Sequence, residues 1–358
     1  MSQRNETSVL VLALLITAGL VGSGFWLFTK SGVDSGGTIG SKPNNPSPGT
    51  GSTNTPSPTL GPANVKNFVQ VQSVPSGLFS YGGSTSWALI RLAVDSAIQA
   101  ARPEFRLRYV APIGEPSGSS TGIRMLLNGQ LNFAQSSRPI LDQEYNQAQQ
   151  RGFRLQQIPV AIDGLAVAVN PNLNISGLTL DQLKSIYTGK TTNWKQLGGP
   201  DVAIKPYSRP TSGGGGTVEI FVQDILGNQP FGANVEFVST TTQALRRLGG
   251  NPGGIYYASA PEVVPQCTIK ALPLGRQLGQ LVPPYQAPFV PLSQCPGSRN
   301  RLNIQAFQSG QYPITRNLFV VVKQNGQIDE RAGEAYANLL LTGQGQELIT
   351  QVGFVRIR

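Results

Sequence analysis

Apolar and polar positions along this chain switch repeatedly between two periods. Phe105-Arg106-Leu107-Arg108-Tyr109-Val110 repeats every second residue, the spacing of a half-buried strand, and Phe68-Val69-Gln70-Val71 reads as another. Between them, Leu89, Ile90, Ala93, Val94 and Ile98 recur on one helical face within Ser86 to Ala101. Strand, helix, strand is the unit of a parallel sheet. Further on, Ile123 to Leu131 predicts a helix and Asn132 to Gln135 a strand. Ile158 to Ile162 and Leu165 to Val169 predict two consecutive buried strands. Helices are expected over Leu180 to Tyr187, Val218 to Leu226 (with Thr217 as N-cap), Gln243 to Leu248 and, closing the chain, Ala335 to Val352. Pro283 to Pro296 is proline-rich and is expected as a surface excursion.

The N-terminal end follows neither period. Val9 to Phe28 is an uncharged run long enough to span a bilayer as a helix. Gly22-Ser23-Gly24 offers a candidate cleavage site, but an uncleaved signal anchor is favoured over a cleaved signal peptide. Ser31 to Pro62 is Gly, Ser, Thr, Pro and Asn with little else, too polar to order itself. The expected organisation is therefore a cytoplasmic tip and transmembrane signal anchor over 1–30, a disordered linker over 31–62, and a body from residue 63. That body is tethered at the extracytoplasmic face of a bacterial inner membrane (the periplasm, where one exists). Export favours a disulfide between Cys267 and Cys295, which as cytosolic residues would read as two buried thiols.

The formal net charge of +10 raises the question of nucleic acid, yet the basic residues are scattered and no nucleic-acid-binding motif accompanies them. A basic body that attracts small anions fits better. The sequence has no histidine, which removes Ser-His-Asp, Cys-His and most zinc chemistry. An enzyme is not expected, and no cofactor or metal is implied.

Candidate chemistry lies in the turns. Arg209 precedes Pro210-Thr211-Ser212, four glycines from Gly213 to Gly216, and Thr217, which leads into an amphipathic helix. Glycines admit close backbone approach, helix N-termini carry unpaired N–H groups, and an arginine adds a planar charged fork. The Gly-Lys-Ser/Thr of a nucleotide P-loop is absent. Gly83-Ser84-Thr85-Ser86, Ser117-Gly118-Ser119-Ser120-Thr121-Gly122 and Ser136-Ser137-Arg138-Pro139 are comparable turns. Any one of them is explained by ordinary capping. Together they read as four turns at strand C-terminal ends, where ligands sit in open α/β sheets.

On these turns the chain resembles the phosphate-binding proteins of high-affinity phosphate ABC importers, which have the type II periplasmic-binding-protein fold. Phe133 to Pro139, Leu178 to Gly199, Tyr312-Pro313-Ile314-Thr315-Arg316 and Gly343 to Glu347 carry the rest of the likeness, which covers nearly all of the body. The resemblance implies an α/β fold of two lobes with mixed sheets, 63–162 with 311–358 forming one and 163–310 the other. Crossing strands near Pro159–Asn170 and Tyr312–Val322 would join them. It implies a monomeric receptor that binds inorganic phosphate in the cleft and hands it to ABC permease subunits. Carried over by position, the anion would meet Thr85 with Ser84 and Ser86, Ser120 with Ser119, Ser137 with Arg138, and from the other lobe Arg209, Gly215, Gly216 and Thr217. There are two departures. Gly215 stands where the family has serine, and Ser137 stands where some members carry an aspartate that accepts the proton of phosphate. The second keeps sulfate or another tetrahedral oxyanion open as ligand, and the anchor and tether keep open a sensor or scavenger without a permease.

Overall fold

The computed structural model describes residues 65–211 and 215–357. The expected membrane helix and linker lie outside them. Among the described residues no helix is long and apolar enough to cross a membrane.

The strands are β1 (Gly77–Gly83), β2 (Phe105–Tyr109), β3 (Phe133–Ser136), β4 (Arg154–Val169), β5 (Leu178–Thr179), β6 (Lys205–Ser208), β7 (Glu236–Phe237), β8 (Gly254–Ser259), β9 (Lys270–Leu272), β10 (Leu274–Gly275) and β11 (Thr315–Gln324). They form a mixed sheet in the order β2-β1-β3-β11-β4-β8-β6-β7, with β9 also on β4 and a separate β10-β5 pair. The parallel pair β1–β2 brackets the helix Ala88–Ala101, so a strand-helix-strand unit forms, but its first strand is Gly77–Gly83 and not the expected Phe68–Val71; β3 then adds parallel to β1.

β4 and β11 decide the architecture. They pair antiparallel from Arg154↔Gln324 to Gly164↔Thr315, after which β4 continues alone and pairs with β8. Apolar packing divides at that point. Phe68 to Leu155, Val160, Ala161 and the segment Leu318 to Phe354 form two clusters on one side. Leu165 to Ile314, joined by Val355, form a third on the other. The fold is thus α/β with two lobes.

Several elements differ from their sequence expectation for local reasons. Phe68–Gln70 is a single 3-10 turn rather than a strand. Asn67 Oδ1 accepts from Gln70 N at 3.2 Å and Gln70 Oε1 accepts from Asn67 N at 3.3 Å, a reciprocal cap that outweighs a short alternation. The second helix runs Ser119–Leu127, starting inside the turn expected to precede it and stopping before Gly129, whose φ of 74° ends a helix. The two strands expected around Asp163 are one continuous strand, β4. Pro159 within it has no N–H to donate, and the ladder slips there by a bulge. Gln346 Nε2 donates to the bulged Val160 carbonyl at 2.9 Å. The closing helix is two, Ile328–Leu340 and Gly343–Gln351. They break at Thr342, whose Oγ1 donates to Leu339 O at 2.7 Å and accepts from Gly345 N at 3.0 Å. Helix Gly215–Ile220 puts Thr217 inside its first turn, not at the N-cap, and continues as one π-helical turn over Phe221–Ile225. Cys267 and Cys295 are disulfide-bonded, with Cα atoms 5.7 Å apart.

Candidate functional site

Three turns of the lobe built on β1–β3 converge. β1 ends at Gly83 and turns through Ser84 into Thr85–Trp87, the 3-10 start of helix Ala88–Ala101. The turn is pinned to the next strand, since Ser84 N donates to Gln135 O at 2.8 Å and the Trp87 indole donates to Ser136 O at 3.1 Å. Helix Ser119–Leu127 comes in beside it because Gly122 has no side chain. A Cβ there would lie 2.4 Å from Gly83 Cα. β3 delivers Ser137. The buried hydroxyls of Ser84, Ser119 and Ser137 therefore meet, with Ser84 Oγ donating to Ser137 Oγ at 2.9 Å and Ser137 N donating to Ser119 Oγ at 3.0 Å. Ser119 Oγ and Ser137 Oγ are 3.3 Å apart.

The opposite lobe meets this cluster through the start of helix Gly215–Ile220. A Cβ on Gly216 would fall 2.2 Å from Ser137 Oγ and 2.6 Å from Ser119 Oγ, so a bare backbone faces the hydroxyls. Thr217 Oγ1 lies 3.1 Å from Ser86 Oγ, and Arg209 Nη1 donates to Thr85 Oγ1 at 3.4 Å. Gly215, at φ 71°, sits against Thr85 and Gly118. Nine of the expected residues, Ser84, Thr85, Ser86, Ser119, Ser137, Arg209, Gly215, Gly216 and Thr217, thus face one another across the junction of the lobes.

Arg138 and Ser120, also expected at the anion, are engaged with other protein groups. Arg138 donates to both Glu144 oxygens at 2.7 and 3.0 Å, to Glu219, to Ser120 Oγ at 2.7 Å and to Pro139 O at 2.8 Å. Burial alone would depress its basicity. Glu144 and Glu219 more than offset that and raise it. No donor remains for an anion. Ser120 is exposed and donates to Glu219 Oε1 at 2.8 Å. Because Glu219 belongs to the opposite lobe, Arg138 and Ser120 act as an ionic clasp between lobes rather than as cleft lining.

The sequence reading also omitted a buried charged group on the hinge strands. Arg316 of β11 and Asp163 of β4 are register partners, both buried. Arg316 Nε and Nη2 donate to Asp163 Oδ2 at 3.0 and 2.7 Å, and Ser259 Oγ donates to Asp163 Oδ1 at 2.7 Å. Arg316 Nη2 also reaches Ser86 Oγ at 2.8 Å and Thr217 Oγ1 at 3.0 Å, touching both lobes. The signal was available. Arg316 shares strand parity with buried Leu318 and Val320, and Asp163 is the one charge between two apolar runs. Nearby, burial pushes the Glu262 carboxyl up. The charges of Arg209 and Arg316 oppose this shift, and that of Asp163 reinforces it.

Such a cluster suits a compact oxyanion: hydroxyls and backbone N–H groups to donate, guanidinium groups to balance charge, and two lobes to exclude water. Residues 52–343 match the PBP superfamily domain. A phosphate-binding protein PstS from Staphylococcus epidermidis is 25% identical over 64% of this chain, and the matched stretch spans 65% of that relative's length. A Clostridium perfringens protein with bound phosphate, assigned as a phosphate ABC transporter substrate-binding protein, superposes with a TM-score of 0.62. It is 23% identical, over 79% of this chain and 100% of that one. An ABC-type phosphate transport receptor from Vibrio cholerae superposes at 0.59, 22% identical, over 77% and 99%.

Proposed function

This chain belongs to the PBP superfamily, and on that premise we propose that it is an extracytoplasmic receptor that captures inorganic phosphate between its lobes and passes it to an ABC permease. The observation that carries this reading is the meeting of Ser84, Ser119 and Ser137 with Gly216, and of Ser86 with Thr217, donors from both lobes gathered at one junction. We take 63–162 with 311–358 as one lobe and 163–310 as the other. The apolar clusters, which divide near residues 162–165 and 314–318, support that partition. Closure follows from shared contacts. Thr85, Ser119 and Ser137 from one lobe, and Arg209, Gly216 and Thr217 from the other, bond the same ligand only when the cleft is shut, so binding shifts the population to the closed form. A protein without histidine and with a site of hydroxyls has little means to move protons near neutral pH, and a binding role follows. A membrane anchor over 1–30 would keep the body beside its permease, and the body acts as a monomer.

Ser137 motivates a second reading, in which sulfate or another fully ionised oxyanion is the ligand. A hydroxyl donates where a carboxylate would repel an anion without a proton. Calorimetric titration of residues 63–358, stripped of carried-over anion, separates the two. Phosphate binding with sulfate silent supports the phosphate receptor, sulfate binding alone moves the reading to sulfate, and silence from both rejects an oxyanion site.

A further inference from the structure

We infer that Arg316 is itself an anion-holding residue, a guanidinium presented by the hinge rather than by either lobe, with Asp163 and Ser259 fixing its orientation. The inference rests on the oxyanion reading above and adds to it a donor group that the turn chemistry does not contain. Among the described residues only two buried side-chain polar atoms lack a hydrogen-bond partner, Asn234 Oδ1 and Arg316 Nη1. An orphaned N–H on a buried guanidinium is costly, and folded proteins rarely keep one without use. This one belongs to a side chain whose other nitrogens are all placed. Nε and Nη2 lie on Asp163, and Nη2 also touches Ser86 and Thr217, the two hydroxyls that face each other across the lobes.

That arrangement has the form of an oriented fork. The carboxylate holds the Nε–Nη2 edge, Ser259 holds the carboxylate, and the Nη1 hydrogens of the same plane are left without a partner. With the guanidinium plane fixed by Asp163, Nη1 keeps two charged N–H donors in a set direction, which a flexible lysine ammonium could not do. Pairing with Asp163 also keeps the guanidinium from being a lone buried charge while the cleft is open. Its station matters as well. β11 is paired along β4 through the hinge, so Arg316 stays anchored to both strands as the lobes move about it. The ligand class is a tetrahedral oxyanion.

The test pairs calorimetry with a structure of the wild-type protein, as the full chain, bound to inorganic phosphate. In Arg316→Gln with Asp163→Asn, both charges go together and no buried carboxylate is orphaned. That variant should melt cooperatively and bind phosphate about 100-fold more weakly, the loss of a buried charge-assisted hydrogen bond. Cooperative melting with phosphate affinity within about threefold of wild type would overturn the assignment. If the variant does not fold, the phosphate complex decides. Nη1 within about 3.2 Å of a phosphate oxygen supports the inference, and Nη1 bonded elsewhere with no anion oxygen in reach overturns it. Wild-type silence toward both phosphate and sulfate would reject the receptor reading itself, a result distinct from a binding wild type with an indifferent double variant.

Discussion

Replacing Gly216 with alanine should abolish tight anion binding while leaving both lobes folded. The added methyl would sit 2.2 Å from Ser137 Oγ and 2.6 Å from Ser119 Oγ, whereas the nearest carbon, Ser137 Cβ, is at an ordinary 3.5 Å. The clash is therefore with hydroxyls alone, and the protein has two ways to relieve it. If the two serines rotate away, Ser84 Oγ loses its acceptor, Ser137 N loses Ser119 Oγ, and the site loses two donors. If the serines hold, the lobes must part. That strains the Ser86–Thr217 contact at 3.1 Å and the Arg316–Thr217 bond at 3.0 Å. Either route removes at least two hydrogen bonds from the closed, liganded state. At about 1–1.5 kcal/mol each, the loss is about 2–3 kcal/mol, or roughly 30- to 150-fold in Kd. The assay is calorimetric phosphate titration of wild type and Gly216→Ala, with thermal melting as the control. Because the contact is between lobes and outside either apolar core, Tm should change by no more than about 2 °C. Wild-type affinity in a normally folded Gly216→Ala protein would refute the claim that this backbone closes onto Ser119 and Ser137.

Three other outcomes are expected. Arg209→Ala should weaken phosphate binding by at least about tenfold, and near-unchanged calorimetry would remove Arg209 from the site. Glu219→Gln, which breaks the clasp to Arg138 and Ser120 at a part-exposed pair, should weaken binding by no more than about fivefold. It should also open the ligand-free protein in small-angle scattering, and an unchanged scattering profile would show that the clasp does not hold the lobes. Burial raises the folded-state pKa of Glu262, so its contribution to stability is greatest below the unfolded carboxylate value of about 4.3 and is lost as pH rises through the folded value. Glu262→Gln should therefore raise Tm relative to wild type at pH 7 and lose that advantage near pH 4. A Tm difference that does not vary with pH would reject the buried, charge-strained Glu262.

Features governed by neighbours in sequence were legible, and features governed by distant partners were not. Alternation in Phe105–Val110 and the apolar face of Ser86–Ala101 depend only on local periodicity, and both elements form. The hydroxyl turns at Ser84–Ser86 and Ser136–Ser137 were readable for the same reason, since turn residues act through their own backbone. Phe68–Val71 shows the limit. Four alternating residues look like a strand, but Asn67 and Gln70 cap a turn, and Arg102 takes the carbonyls of Phe68, Val69 and Val71. Arg138 shows it again. In sequence it is a cation beside a serine in a candidate site. Only the fold brings up Glu144 and Glu219, which with Ser120 Oγ and Pro139 O take all five of its N–H groups.

Arg316 and Asp163 went unread for a related reason that bears on how the cleft works. Each is a charge set beside an apolar run, and neither means anything until β11 lies beside β4 in a register set partly by the bulge at Val160. A cleft built only from lobe-borne donors loses half its ligand contacts when it opens, so an anion entering the open form must shed water against few partners. A charge held on the hinge changes that balance. Held by Asp163 on strands that stay paired, it would meet the anion before closure, and its bonds to Ser86 and Thr217 join one residue from each lobe at the same point. Attraction to the open cleft and preference for the closed one then share a single guanidinium. The carboxylate that keeps it in place has to be buried beside it, where an anion-binding cleft would otherwise exclude negative charge.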